Sequence, residues 1–248
     1  MNQNNNLNNN KLNKEIVFRL NLALFIWTVL FFPLVFIPLR FQYRFFWPIF
    51  TKMFLFATKI KVYNLSKIDI NKYKGSIFAS NHKTFADAYL IMNFLKIPFS
   101  ILYRKDIIKN PFIRFMFWRA GLIPIKKNDF ILSLKSFDRI KKKLKNKISI
   151  IFFPEGWYIN DRVVGEIKKG ISFIAKETDA LIVPVAIYSK EFNFLFEDKL
   201  YWKNFYINAG EPIKYSDFNN EQTFLESLKK RIELLYNEIE NEIKNRGV

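Results

Sequence analysis

The sequence contains no cysteine and only one histidine, His82. The absence of cysteine excludes disulfides, thiolate metal sites and a cysteine nucleophile. One histidine is too few for a zinc site built from several imidazoles. A Ser-His-Asp triad is possible only with His82 as its histidine, so any imidazole chemistry in this chain depends on that residue.

Acidic residues are also scarce, because 22 Asp and Glu stand against 40 Lys and Arg, a formal net charge of +18. Such an excess favours an anionic partner, and nucleic acid, an anionic lipid surface and an acidic carrier protein all qualify. A coding bias toward Lys, Asn, Ile and Phe accounts for the same excess without any partner. Charge alone does not choose between these explanations.

Long apolar runs occur only near the amino terminus. Residues 1–14 form an asparagine-rich tail that we expect to be disordered. Residues 22–39 carry no charge, a length close to the roughly 20 residues of a spanning helix, and a second aromatic-rich stretch follows at 45–60. Basic and aromatic residues flank both stretches and suit a headgroup zone. We therefore predict a membrane-attachment element of two apolar helices over residues 15–61.

The sequence leaves the mode of attachment open. The two apolar segments are compatible with a single span, a re-entrant hairpin or burial in one leaflet, and also with two buried core helices. A cleaved signal peptide is excluded because the apolar region is too long and no small-residue cleavage site follows it.

From residue 62 to the carboxyl terminus, short apolar strands alternate with helices. This alternation predicts an α/β fold with a mostly parallel sheet flanked by helices, and a single domain over residues 62–248. The expected strands are 76–80, 99–103, 121–125, 149–153, 181–188 and 205–208, and the expected helices are 83–94, 111–120, 131–144, 166–178 and 221–245.

Polar residues follow the first of these strands in the order Asn81, His82 and, five residues after the histidine, Asp87. A carboxylate at this distance can reach back to the imidazole, fix its tautomer and stabilise the imidazolium ion. On spacing alone, a packed or surface histidine is the more ordinary explanation.

Two further strand ends carry candidate features. Residues 153–156 read Phe-Pro-Glu-Gly, and the amides of a glycine turn can bind phosphate or an oxyanion, although a plain Pro-Gly turn has the same appearance. Residues 183–187 read Val-Pro-Val-Ala-Ile, which is more typical of a core strand with a bulge at the proline.

Taken together, the order and placement of these features resemble the glycerophospholipid acyltransferase family, and most of all the bacterial lysophosphatidate acyltransferases. The likeness extends over residues 62–213. The positions that carry it are Asn81, His82 and Asp87, then Lys105, Pro111 and Gly121, then Phe153, Pro154, Glu155 and Gly156, and finally the strand at 183–187. Two positions depart from the family pattern: Lys126-Lys127 replace an Asp-Arg pair, and Trp157-Tyr158 replace a Thr-Arg pair.

The resemblance implies a reaction and a place in the cell. It implies transfer of an acyl group from a thioester, on coenzyme A or acyl carrier protein, to the sn-2 hydroxyl of lysophosphatidic acid in phospholipid biosynthesis. It implies no tightly bound cofactor and no metal. It also implies attachment to anionic membrane, on the cytoplasmic side of a bacterial inner membrane.

The resemblance also implies roles for individual residues. His82 is then the general base and Asp87 orients its ring. Backbone amides near Gly156 or His82 hold the oxyanion. The remaining expected substrate-binding residues are Lys105, Lys126, Lys127 and Glu155, together with Arg162 as a substitute for the missing arginine.

Two alternatives follow from the same residues. The missing arginine leaves room for another acceptor, such as a different lysolipid, an aminolipid or a glycolipid. Charge alone would also suit a non-enzymatic protein that binds membrane or nucleic acid, but the sequence has no nucleic-acid module signature, and we expect no nucleic-acid partner.

Overall fold

The computed structural model describes residues 47–84, 87–106, 108–125, 134–156, 164–189 and 204–245, together with the single residues 18, 22, 36 and 42. These residues form helices and strands that are named below in chain order. They are α1 (Trp47–Thr58), β1 (Lys61–Asn64), β2 (Ile77–Ser80), α2 (Asp87–Phe94), β3 (Phe99–Arg104), α3 (Pro111–Arg119), β4 (Ile123–Ile125), α4 (Leu134–Lys145), β5 (Ser149–Phe152), α5 (Gly170–Thr178), β6 (Ile182–Tyr188), β7 (Asn204–Ala209) and α6 (Glu221–Asn245).

The strands form one sheet in the order β1-β7-β6-β2-β5-β3-β4. Every neighbouring pair is parallel except β6 and β7, which run antiparallel. Strand β2 lies at the centre, between β6 and β5. The prediction of a mostly parallel α/β sheet flanked by helices is therefore confirmed.

The two faces of the sheet bury separate apolar clusters, because successive side chains of a strand point to opposite faces. Ile77, Ile150 and Ile182 pack beneath α4, α5 and α6. Phe78, Ile151 and Val183 pack beneath α1 and α2. Burial on both faces explains why the central strands read as continuous apolar runs.

Strand β1 was not predicted. It reads Lys-Val-Tyr-Asn, lies at the edge of the sheet and is largely exposed, so it lacks the apolar run that identified the central strands. Its position depends on pairing with β7, more than a hundred residues away in the sequence.

Two helices begin later than expected. Helix α2 begins at Asp87 instead of Lys83, because the backbone N–H groups of Lys83 and Thr84 donate to the Asp87 carboxylate. Helix α5 begins at Gly170 instead of residue 166, because the preceding segment is held against the 153–156 turn, where the Lys168 N–H donates to the Pro154 carbonyl at 2.8 Å.

Most of the predicted membrane-attachment element lies outside the described residues, and the proposed boundaries at 15 and 62 stay predictions. Its described part, α1, buries Trp47 and Phe54, and the Phe54 ring stacks on Tyr89 of α2 at 4.2 Å. Phe56 on the other side of α1 is 78% exposed. Among the residues described, no helix has the length and apolar character needed to cross a bilayer.

Candidate active site

The segment that leaves β2 is anchored by Asn81, which is completely buried. Its side-chain amide donates to the Ile187 carbonyl at 2.9 Å and accepts from the Ile187 N–H at 2.8 Å. The side chain thereby replaces a peptide group and continues the pairing of β2 with β6 beyond Ser80. The following residue, His82, is held in a fixed position at the carboxyl end of the central strand.

Asp87 collects three hydrogen bonds on one carboxylate oxygen. Its Oδ2 lies 2.8 Å from Nδ1 of His82 and 2.8 Å from the Thr84 nitrogen, and it also accepts from the Lys83 N–H. Asp87 is wholly buried and is the first residue of α2, where the helix dipole favours a negative charge. These contacts hold the imidazole with Nδ1 toward Asp87 and Nε2 turned away from it.

The Phe153 ring packs against the face of the His82 imidazole. The two rings stack with their centroids 4.2 Å apart and an interplanar angle of 21°. The His82 side chain keeps 20% of its surface exposed, whereas Asp87 has none. The imidazole is thus held by Asp87 and Phe153, and part of its surface remains exposed.

Glu155 binds protein backbone on both of its oxygens. Oε2 accepts from the His82 N–H at 3.3 Å, and Oε1 accepts from the Gly165 N–H at 3.1 Å. Burial raises the pKa of Glu155, while the two backbone hydrogen bonds and the nearby Lys83 and His82 act in the opposite direction. The carboxylate therefore ties the histidine loop to the segment before α5.

We expect Glu155→Gln to change how stability depends on pH. Because the folded-state pKa of Glu155 lies above its ordinary value of 4.5, the folded protein binds more protons than the unfolded chain, and this site loses stability as pH rises above that value. The free energy of unfolding of wild type relative to the variant should therefore fall between acidic and neutral pH in urea titrations.

Glu166→Gln serves as the matched control, because the Glu166 side chain is 82% exposed. It should leave the pH dependence of wild type unchanged. A difference between wild type and Glu155→Gln that stays constant across the same pH range would contradict a buried, titrating carboxylate at position 155.

The strand register places three predicted site residues after the ends of neighbouring strands. Ile150 pairs with Ile77 on one side and with Ser100 on the other. In the sequence, His82, Glu155 and Lys105 each lie five residues beyond this row, after the carboxyl ends of β2, β5 and β3. Because parallel neighbours are about 4.8 Å apart, the ends of β2 and β3 lie roughly 10 Å from each other. The Lys105 side chain is exposed at the end of the sheet where α/β proteins bind ligands.

The remaining predicted substrate-binding residues have different outcomes. Gly156 has φ +76°, and its N–H donates to the Phe153 carbonyl at 3.1 Å, so this amide closes the turn. Lys126, Lys127 and Arg162 lie outside the described residues, as do Trp157 and Tyr158. No group of three potential metal-ligating side chains occurs in the described parts of the chain.

Sequence reasoning missed Lys83, which is only 1% exposed although it follows the histidine. Its ammonium group lies 5.6 Å from the centre of the Tyr236 ring on α6. His82 and Lys83 thus leave the strand end toward opposite faces of the sheet, as alternation requires. A buried lysine needs a partner, and the combination of the aromatic face and the Glu155 carboxylate supplies favourable electrostatics.

Comparisons with known proteins identify relatives of the central part of the chain. A family model described as acyltransferase matches residues 59–188. The chloroplastic 1-acyl-sn-glycerol-3-phosphate acyltransferase LPAT1 of Arabidopsis thaliana is 28% identical over 135 residues, which cover 52% of this chain and 38% of that protein. The 1-acyl-sn-glycerol-3-phosphate acyltransferase of Escherichia coli is 24% identical over 164 residues, which cover 66% of each chain.

A solved structure shares the fold over almost the whole chain. The 1-acyl-sn-glycerophosphate acyltransferase PlsC from Thermotoga maritima superposes with a TM-score of 0.76 and 18% sequence identity. The superposition covers 95% of this chain and 97% of the PlsC chain. At this identity the likeness concerns the fold. The matched segment spans 38% of the plant relative and 66% of the Escherichia coli relative.

Proposed function

The chain belongs to the acyltransferase family, and from that premise we propose that it transfers a fatty acyl group from a thioester to the sn-2 hydroxyl of lysophosphatidic acid. The observation that carries the proposal is the His82–Asp87 pair, joined at 2.8 Å at the open end of the central strand. The names of the plant and bacterial relatives support lysophosphatidate as the acceptor.

In the proposed reaction, Nε2 of His82 removes the proton of the acceptor hydroxyl as its oxygen attacks the thioester carbonyl. Asp87 holds Nδ1–H and stabilises the imidazolium ion that forms. The tetrahedral intermediate then expels the thiolate, which takes the proton back from Nε2. An ester and a free thiol result, and no acyl-enzyme is formed, which agrees with the absence of cysteine.

The oxyanion needs donors other than the amides first expected. The N–H of His82 donates to Glu155, those of Lys83 and Thr84 donate to Asp87, and that of Gly156 closes its own turn. Each of these four amides therefore has an acceptor inside the protein. We therefore assign the oxyanion to none of these four amides. At the same edge of the sheet, Lys105 is an exposed cation.

Lys105 is also the described candidate for the acceptor's phosphate, with Lys126, Lys127 and Arg162 as the other proposed ligands. We expect Lys105→Met to raise KM for lysophosphatidate roughly 10- to 100-fold, because a charge-assisted hydrogen bond contributes about 1.5–3 kcal/mol. Steady-state kinetics with saturating donor measures the change.

Lys109→Met is the control for that substitution, because Lys109 is an exposed lysine four residues further along the chain. Its KM should stay within about twofold of wild type, since exposed charges away from a ligand contribute little. An unchanged KM in Lys105→Met would remove this lysine from the acceptor site.

A second acceptor class is favoured by one sequence feature, the Trp157-Tyr158 pair at the position where the family pattern has Thr-Arg. Lysine offers a point charge where arginine offers a two-pronged donor, so phosphate recognition in this chain rests on different geometry. Acyl transfer to lysolipids with and without a free phosphate monoester distinguishes lysophosphatidate from the second acceptor class. Strict dependence on the monoester would rule out the aminolipid and glycolipid alternatives.

The acyl donor and the location complete the proposal. Coenzyme A and acyl carrier protein thioesters are both acidic, and the net charge of +18 attracts either. Helix α4 displays an exposed basic run that includes Lys141, Lys142 and Lys145. Lys143 is partly buried, and burial together with Arg139 lowers its pKa to about 8. We place the enzyme on anionic membrane, with the catalytic domain on the cytoplasmic side and no tightly bound cofactor.

A further inference from the structure

Helix α3 presents an aromatic side chain at every third residue of one side. Phe112, Phe115 and Trp118 are 44%, 38% and 53% exposed, and the Phe115 and Trp118 rings lie 6.0 Å apart. Residues three apart share one side of a helix, so the three rings form a continuous strip. Met116 is the buried residue of the same helix.

The strip continues onto Phe36, which lies 6.2 Å from Phe115 and is itself 56% exposed. The Arg119 guanidinium lies over Phe36 at 5.5 Å and over Trp118 at 5.8 Å. The aromatic surface therefore extends from α3 to Phe36, a residue of the charge-free stretch at 22–39 of the sequence.

Cationic residues border the strip. Lys105 and Lys109 are exposed in the segment before α3, where Asp106 is paired with Arg104. Arg114 and Arg119 lie on the helix with part of their surface accessible. No acidic residue occurs within α3. An apolar strip that contains tryptophan and has a cationic border is typical of a helix that lies in the interface of an anionic bilayer.

We propose that Phe112, Phe115 and Trp118 insert into the boundary between headgroups and acyl chains of an anionic bilayer, in addition to the membrane contact predicted for residues 15–61. Helix α3 follows β3, whose carboxyl end lies on the His82 side of the sheet. Insertion of the strip brings the catalytic edge to the lipid surface, a use that rests on the proposed function. A second copy of this chain fits the strip poorly, because the cationic borders of the two copies would face and repel each other.

The experiment measures binding of the full-length chain to mixed phosphatidylcholine and phosphatidylglycerol vesicles. We expect Trp118→Ser to weaken vesicle partitioning roughly tenfold, and the triple variant Phe112→Ser, Phe115→Ser, Trp118→Ser to weaken it at least about 100-fold. Leu134→Ser is the matched control, because Leu134 is an 80% exposed apolar residue on α4. It should partition as wild type does.

Fluorescence tests the strip separately from the contact predicted for residues 15–61. Brominated lipid should quench the Trp118 signal, taken as the difference between wild type and Trp118→Phe. Absence of that quenching, or wild-type partitioning of the triple variant, would overturn the proposal. A change from dimer to monomer with vesicle binding unchanged would overturn it as well, and assign the strip to a second copy.

Activity in detergent separates this inference from the proposed function. With both lipids dispersed in detergent micelles, the triple variant should transfer acyl groups at the wild-type rate. If wild type fails to acylate lysophosphatidate while the variants still lose vesicle binding, the proposed function fails and the membrane contact stands.

Discussion

Alanine in place of His82 is expected to reduce kcat for acyl transfer by on the order of 10³-fold, because the substitution removes the imidazole proposed to take the acceptor's proton. The fold should persist, since the imidazole is partly exposed and Asn81 anchors the loop independently through Ile187. Initial rates with lysophosphatidate and an acyl thioester measure the first effect, and thermal unfolding measures the second.

Added imidazole provides the control for this variant. A small base that enters the vacated position should restore part of the activity of His82→Ala and leave wild type unchanged. Retention of more than about a tenth of wild-type kcat in the variant would remove His82 from the role of general base, given that positioned bases contribute roughly 10²–10⁴-fold.

Substitutions of Asp87 should separate chemistry from structure. Asp87→Asn keeps an oxygen for the amides of Lys83 and Thr84 but removes the charge that stabilises imidazolium, so we expect kcat to fall about 10²- to 10⁴-fold with modest loss of stability. Asp87→Ala also leaves those two amides without an acceptor, at about 1–3 kcal/mol each. Kinetics and urea unfolding of both variants test the distinction.

Asp138→Asn controls for the loss of a carboxylate elsewhere, because Asp138 is exposed on α4. It should leave both kcat and the free energy of unfolding near wild type. Equal kcat in Asp87→Asn and wild type would mean that the 2.8 Å contact with His82 has no part in the reaction.

The sequence carried the features of this site that are local. His82 and Asp87 are five residues apart after an apolar strand, which made their contact possible, and the family resemblance then implied that they act together. The resemblance to glycerophospholipid acyltransferases, drawn from the motif order, is confirmed by the family model over residues 59–188. Most helix and strand positions also followed from apolar patterns, with α6 at its predicted bounds.

The features that the sequence did not reveal depend on contacts between distant residues. Asn81 meets Ile187, Glu155 meets the peptide of His82, and Lys83 reaches Tyr236, each pair more than 70 residues apart. Nothing in the local pattern distinguishes a glutamate that binds backbone from one that binds substrate. The antiparallel direction of β7 likewise depends on sheet assembly, because the same apolar run fits either direction.

The exposed rings of α3 are a further feature that the sequence did not predict. The sequence predicted a helix here but not which of its rings point to the domain and which to its surroundings. In the structure Met116 is buried and Phe117 contacts Tyr103 of β3. Trp118 is 53% exposed.

Direct transfer can be tested by following thiol release with and without lysophosphatidate. With an acyl thioester alone, we expect almost no thiol and no acylated protein by intact mass, because His82 activates the acceptor and no residue carries the acyl group. Addition of lysophosphatidate should release thiol and form phosphatidic acid in equal amounts. Thiol release without acceptor, or an acyl adduct on the protein, would contradict direct transfer by the His82–Asp87 pair.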